Sequence, residues 1–240
     1  MYFWHNDFMF KDREGGLYLY GYHGNSKDGI EIPSHVNGKP VTVIGEEAFK
    51  QKGIRSIVIP DTIEEIEFNA FRYNGLTKVT LPKNIVEITF GAFSYNKLVE
   101  VAIPDKVIQI LPWALRNNNL AKITIPDSVK EIGSHAFISN NLTEVTIPDS
   151  VEVIGIYAFQ GNNLTQINIC GNVEIIEDKA FGNYTDQIKR DYEKNNRQPA
   201  IYVWDEGKQK WQNQLEQLLE KQGEDRIGNL LKNKNTSMTL

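Results

Sequence analysis

The sequence predicts an α/β-type repeat solenoid with parallel strands, a β-rich N-terminal cap and a hairpin-plus-helix C-terminal cap. Three observations carry that prediction. A 22-residue pattern recurs in a single phase, most clearly over residues 125–146 and 147–168. Prolines mark it at Pro60, Pro82, Pro104, Pro126 and Pro148, with Cys170 in the next slot. Ala-Phe pairs mark it again at Ala48-Phe49, Ala70-Phe71, Ala92-Phe93, Ala136-Phe137, Ala158-Phe159 and Ala180-Phe181, and Ala114-Leu115 completes the series. A period of this length belongs to stacked coils, each unable to bury its apolar side alone.

In a quasi-one-dimensional array, the 240 residues set the number of coils and not the number of domains. One elongated unit is expected, with a cap over residues 1–31, seven coils over 32–182, the last partial, and a cap and tail over 183–240. Apolar residues make up 40% of the chain, mean hydropathy is -0.41, and no apolar run is long enough for a membrane span. A net charge of -5 opposes non-specific binding to nucleic acid or to anionic membranes, which needs dense cationic contacts to phosphate. Cys170 stands alone, so no internal disulfide forms. The first ten residues lack a basic leader, an uninterrupted apolar core and a small-residue cleavage site, and so do not read as a secretory signal. Either the protein stays inside the cell or this sequence begins after a removed leader.

Taken in order, Phe8 and Phe10 alternate with Met9, residues 12–16 supply turn chemistry, and residues 17–20 alternate again. This predicts a hairpin that covers the first coil, with its aromatic residues used in packing. Coil one begins at Ile32-Pro33 and carries five extra residues within 34–40, where Asn37-Gly38 and Pro40 predict a surface loop. Coils two to six start at Ile59, Leu81, Ile103, Ile125 and Ile147, and a partial seventh at Ile169. In each, a Leu-x-x-Val-x-Ile segment such as Leu142, Val145 and Ile147 predicts a strand paired in parallel with its neighbours, about 4.8 Å apart, and ended by the following proline. Pairs such as Val129 and Ile132 return to the interior, and each Ala-Phe offers a small residue and a ring that can stack. Asn74, Asn96, Asn118, Asn140 and Asn162 fall in a bend, where a side-chain amide can satisfy stranded backbone groups; their role is structural. Beyond Phe181, residues 183–198 read equally as a short helix or a linker. Residues 201–204 and 209–211 flank Asp205-Glu206-Gly207 as a second hairpin, and Trp211, Leu215, Leu218 and Leu219 follow a helical stripe.

The combined pattern Ile-Pro-x-x-Val-x-x-Ile-Gly-x-x-Ala-Phe-x-x-Asn-x-Leu-Thr-x-Val, held over residues 32–181, resembles the BspA-like leucine-rich repeat family of bacterial and protist proteins. The resemblance implies a curved right-handed leucine-rich repeat array. It also implies a secreted or surface-displayed bacterial protein that binds host proteins or other cells as an adhesin, with no catalytic residue and no cofactor. The chain departs from the pattern in Cys170 for proline and in Leu111-Pro112-Trp113-Ala114-Leu115 for Gly-x-x-Ala-Phe. It also shows neither a leader nor a C-terminal sorting signal.

No catalytic or metal constellation is legible. His5, His23, His35 and His135 occupy different repeat columns or caps, no nucleotide or nucleophile motif occurs, and Glu65, Glu87 and Glu131 share a column that Gln109 interrupts. Binding is then the expected work of a monomer with another protein as its partner, at the cell surface or as an intracellular scaffold of the same fold, and its determinants lie where the repeat varies. One candidate column is the charge ladder Lys78, Glu100, Lys122 and Glu144 on the strand face, whose alternating signs also fix register. The sharper candidate stands one residue before the Ala-Phe pair, where Trp113, His135 and Tyr157 follow one another in consecutive coils as an aromatic stripe for a protein or a glycan.

Overall fold

The structure is a computed structural model that describes residues 1–171 and 173–215. Its N-terminal cap is a sheet and not a lone hairpin. Strands β1 (Tyr2–His5), β2 (Phe8–Arg13) and β3 (Gly16–Tyr22) form an antiparallel meander. After β4 (Ile30–Glu31), β5 (His35–Val36) and β6 (Lys39–Ile44), the order β1-β2-β3-β6-β5 closes the sheet, with β3 and β6 parallel. The residues expected to form a surface loop are the β5–β6 hairpin instead. Asn37 and Gly38 take φ of 51° and 75°, as a two-residue turn between twisted strands requires, and Val36 is buried beneath them.

The cap aromatics divide by alternation along their strands. Phe8, Phe10 and Tyr22 are buried, whereas Tyr2, Trp4 and Tyr20 are about half exposed, so packing accounts for only part of this group. Tyr22 places its ring 5.7 Å from Phe49 at 22°, and from there the Ala-Phe rings continue inward: Phe49 to Phe71 at 5.0 Å and Phe71 to Phe93 at 5.1 Å. Leu115 interrupts the column, which resumes as Phe137, Phe159 and Phe181 at 5.2 and 5.6 Å.

The strands of the array are β7 (Ile57–Val58), β8 (Glu65–Ile66), β9 (Glu87–Ile88), β10 (Gln109–Ile110), β11 (Glu131–Ile132), β12 (Glu144–Ile147), β13 (Val153–Ile154), β14 (Gln166–Ile169) and β15 (Ile175–Ile176). Parallel pairing is present, but its most regular ladder lies elsewhere than the leucine pattern implies. It joins β9, β10, β11, β13 and β15 at the second apolar pair of each coil, and β8 joins the cap through β6. The Ile of each pair points inward and is buried. On the leucine side, among the described residues, four-residue parallel pairing occurs only between β12 and β14; elsewhere it contracts to β4 with β7 and to one bridge between Ala102 and Thr124. That full-length pair is also where the C-terminal hairpin adds a further strand.

Between the two strand regions, backbone and side-chain hydrogen bonds step from coil to coil. At the Ala-Phe turn, alternate amides donate to the following coil, as Phe71 N to Ala92 O at 2.8 Å and Phe93 N to Ala114 O at 3.0 Å. At the next bend the recurrent asparagine serves three backbone groups at once. Asn118 Oδ1 accepts from Leu98 N at 3.0 Å, while its Nδ2 donates to Phe93 O and Leu115 O, both at 3.0 Å. Asn74, Asn96, Asn140 and Asn162 repeat these contacts one coil apart, as a structural role requires. Where the column after the buried Ile carries glycine, coils approach closely. A Cβ on Gly155 would lie 2.5 Å from Ser134 N.

Residues 182–194 resolve the open reading in favour of helix, with a 3-10 turn at Gly182–Tyr184 leading into α1 (Thr185–Lys194). The Tyr192 hydroxyl accepts from Val173 N at 2.9 Å and donates to Gly171 O, which ties the helix to the last coil. The expected second hairpin is β16 (Ala200–Asp205) with β17 (Lys210–Asn213), and β16 pairs antiparallel with β14, so the hairpin covers a strand edge. Trp211 belongs to β17 and not to a helical stripe: its backbone is held in the hairpin opposite Trp204. Of the rest of that stripe, Leu215 is buried, and Leu218 and Leu219 lie outside the described residues.

Two stability predictions arise from these contacts. Asn118→Ala strands one amide and two carbonyls in the interior and should lower unfolding free energy by about 3 kcal/mol, whereas exposed Asn119→Ala should stay within about 0.5 kcal/mol, both read by chemical denaturation. Phe71→Ala should cost about 3–5 kcal/mol by the same measurement. Phe71→Leu should cost distinctly less, because the column already seats Leu115 fully buried.

Candidate interaction surface

The residue before each Ala-Phe pair opens a tight turn, and in every coil it adopts the left-handed conformation. φ is 56° at Glu47, 56° at Asn69, 63° at Gly91, 63° at Trp113, 61° at His135, 58° at Tyr157 and 57° at Lys179. Four residues on, a second left-handed column runs through Gln51, Tyr73, Tyr95, Asn117, Ser139 and Gly161. Outside glycine and asparagine this conformation is costly, so side chains that add nothing to packing would be expected to give way to glycine here.

The three rings expected in register are brought together. Trp113 and His135 lie 6.2 Å apart and His135 and Tyr157 5.0 Å apart, each ring partly buried against the next. The stripe extends further than the single column. Phe68 and Phe90, one position earlier in their coils, contact at 5.1 Å, and Phe90 meets Trp113 edge-on at 4.6 Å and 63°. Five rings therefore run unbroken across coils two to six. Beside them Tyr73 stacks on Tyr95 at 4.4 Å, Arg72 lies 4.7 Å from the Tyr73 ring, and Arg116 lies 5.4 Å from Tyr95 and 6.0 Å from Trp113. Phe68, Phe90, Tyr73, Tyr95, Arg72 and Arg116 were not legible from one column at a time. Reading pairs of residues 22 apart would have found Phe68 with Phe90 and Tyr73 with Tyr95, but not the diagonal contact of Phe90 with Trp113.

Burial, and then the charge of Arg116, push the His135 pKa below its ordinary value, so the imidazole is neutral at pH 7. Its Nδ1 is buried and has no hydrogen-bond partner among the described residues. Cys170, where the pattern has proline, is half-buried, and desolvation, then the charges of Asp149 and Asp127, push its thiol pKa up to about 11; it is protonated at neutral pH and poorly nucleophilic.

The charge ladder is brought together only in part. Lys78 and Glu100 pair at 2.8 Å with both side chains well exposed, and among the described residues no ion pair continues the column to Lys122 or Glu144. An exposed pair of this kind contributes on the order of 0.2–1 kcal/mol. In the acidic column Gln109 Nε2 donates to Glu131 Oε2 at 3.0 Å.

No curated protein matches the chain. Among solved structures, a leucine rich cell surface protein from Faecalibacterium prausnitzii A2-165 is similar over 86% of this chain and 59% of its own, with 22% identity and a TM-score of 0.51. The pneumococcal vaccine antigen PcpA is similar over 70% of this chain and 50% of its own, with 21% identity and a TM-score of 0.54. At these identities the likeness is one of fold, and the chain spans 59% of the first protein's length and 50% of the second's. The BspA type leucine rich repeat region matches residues 64–189 in 6 copies, more than half of the chain, and the protein belongs to that family.

Proposed function

We propose that the protein is a non-catalytic protein-interaction module whose partner docks on the turn face. The carrying observation is the unbroken run of rings from Phe68 to Tyr157, three of them at backbone positions where a large side chain is a cost to the fold. Aromatic and arginine side chains dominate binding energy at protein interfaces, and this face holds both. The strand-face ladder of Lys78, Glu100, Lys122 and Glu144 has no such anchors and serves register and solubility. Family membership supports the interaction role, and the likeness to a cell surface protein of Faecalibacterium supports a bacterial surface setting; in that setting the partner is read as a host protein bound in adhesin-like fashion. The module acts as a monomer.

The test exploits the left-handed column. Replacing Trp113, His135 and Tyr157 together with glycine removes the rings and relieves backbone strain, and Gly91 already occupies the same position. Binding of the labelled chain to cultured epithelial cells should fall at least about a hundredfold in the triple variant, the loss of two good anchors, with the melting temperature within a few degrees of the parent. Prior protease treatment of the cells should abolish binding and glycosidase treatment should not. Unchanged binding, or glycosidase-sensitive binding, would defeat the proposal.

A further inference from the structure

Charge is segregated around the coils. The chain carries 31 acidic residues, yet the turn segments 68–75, 90–97, 112–119, 134–141 and 156–163 contain no Asp or Glu. Inter-coil hydrogen bonds such as Phe71 N to Ala92 O, Phe93 N to Ala114 O and Leu115 N to Ala136 O stack these segments into one face. The acids of the same coils fall on the other sides, at Glu87, Glu131 and Asp149 for example. The turn face instead presents Arg72, Lys97 and Arg116 in a protein whose net charge is -5.

The two arginines are organised around one ring. Both guanidinium carbons lie 5.4 Å from the centroid of Tyr95, one from the preceding coil and one from the following coil. Tyr95 is fixed in turn by its left-handed backbone and by Tyr73. Arg72 donates to Asn69 Oδ1 and to the Tyr73 hydroxyl, and Arg116 donates to Asn117 Oδ1 at 2.9 Å. These neutral acceptors orient both groups without neutralising them. Among the described residues neither arginine forms an ion pair within 4.0 Å; Glu47 in the first coil, which feels the charge of Arg72, is itself engaged by Lys50. Arg116 is held through Nε and Arg72 through one N–H on each terminal nitrogen, so both planar forks keep N–H donors for a carboxylate.

We infer that Arg72 and Arg116 form a clamp across Tyr95 for an acidic segment of the partner protein. This inference rests on the turn-face docking proposed above and names the chemistry of what docks. The partner supplies carboxylates to the clamp and apolar side chains to the ring column that continues through Trp113.

The probes are a fluorescently labelled random Glu–Tyr copolymer and labelled heparin, read by anisotropy with the full chain at about 50 and about 300 mM salt, which spans strong to weak screening. The copolymer should bind, weaken as salt rises, and lose at least about tenfold in affinity in the Arg72→Gln/Arg116→Gln variant. The Arg72→Lys/Arg116→Lys variant should recover only part of the loss, because the charge remains and the fork does not. Exposed Lys210→Gln, on the hairpin, should change nothing. Copolymer binding that survives the double glutamine variant, failure of the parent chain to bind the copolymer, or heparin bound in its place, overturns the clamp. The triple-glycine variant separates the two proposals. If it alone loses the copolymer, ring docking stands and the clamp falls; if only the arginine variant loses it, the clamp stands and ring docking falls.

Discussion

One side-chain amide in each of coils two to six carries the architecture. The Ala-Phe turn and the bend after it leave backbone groups pointing along the array where no strand reaches them, and such groups cannot remain unpaired in the interior. Asparagine is short enough to sit in the bend and holds both a donor and an acceptor. Asn118 can therefore bind Leu98 N and Phe93 O of the preceding coil and Leu115 O of its own with a single group. Aspartate has no donors for the carbonyls, and a longer amide would displace the bend. The spacing of these residues fixes the register, and the Phe rings fall into stacks 5.0–5.6 Å apart because the amides hold the coils in phase.

The same turn that demands these hydrogen bonds creates the surface. Its left-handed positions, buried Asn69 excepted, point side chains away from the interior, and their backbone geometry is held by the coil on either side. Rings placed there are ordered before any partner arrives, so little conformational freedom remains to be lost on binding. Trp113, His135, Tyr157, Tyr73 and Tyr95 all occupy such positions. The coils thus separate two kinds of residue: those that recur close the array, and those that vary within the turn face outward from a rigid frame.

Much of this was legible in the sequence. A strict period shows the stacking, the interior columns and the asparagine role, since each depends on chemistry repeated at one spacing. The three rings at Trp113, His135 and Tyr157 were legible for the same reason. What escaped were features that depend on how coils are offset in space. The regular parallel ladder at Glu-Ile, and not at the leucine segment, follows from hydrogen bonding and not from apolar alternation, which both segments share. Phe90 against Trp113 is a diagonal contact between different columns, and Arg116 reaches the Tyr95 of the previous coil. The Asn37-Gly38 hairpin showed itself as turn chemistry, but two flanking residues on each side are too few to announce strands. Trp211 fell on a helical stripe by spacing alone, and the hairpin opposite Trp204 outweighed it.

Native-state hydrogen exchange reads the central interaction most directly. The amides of Leu76, Leu98, Leu120 and Leu142 lie outside every strand, and each donates to an asparagine side chain at 3.0–3.1 Å. If the asparagine column holds the array together, these four amides exchange only through global unfolding, among the slowest in the protein and as slowly as those of β11. Exchange by local opening, at rates typical of exposed turns while β11 remains protected, would contradict it.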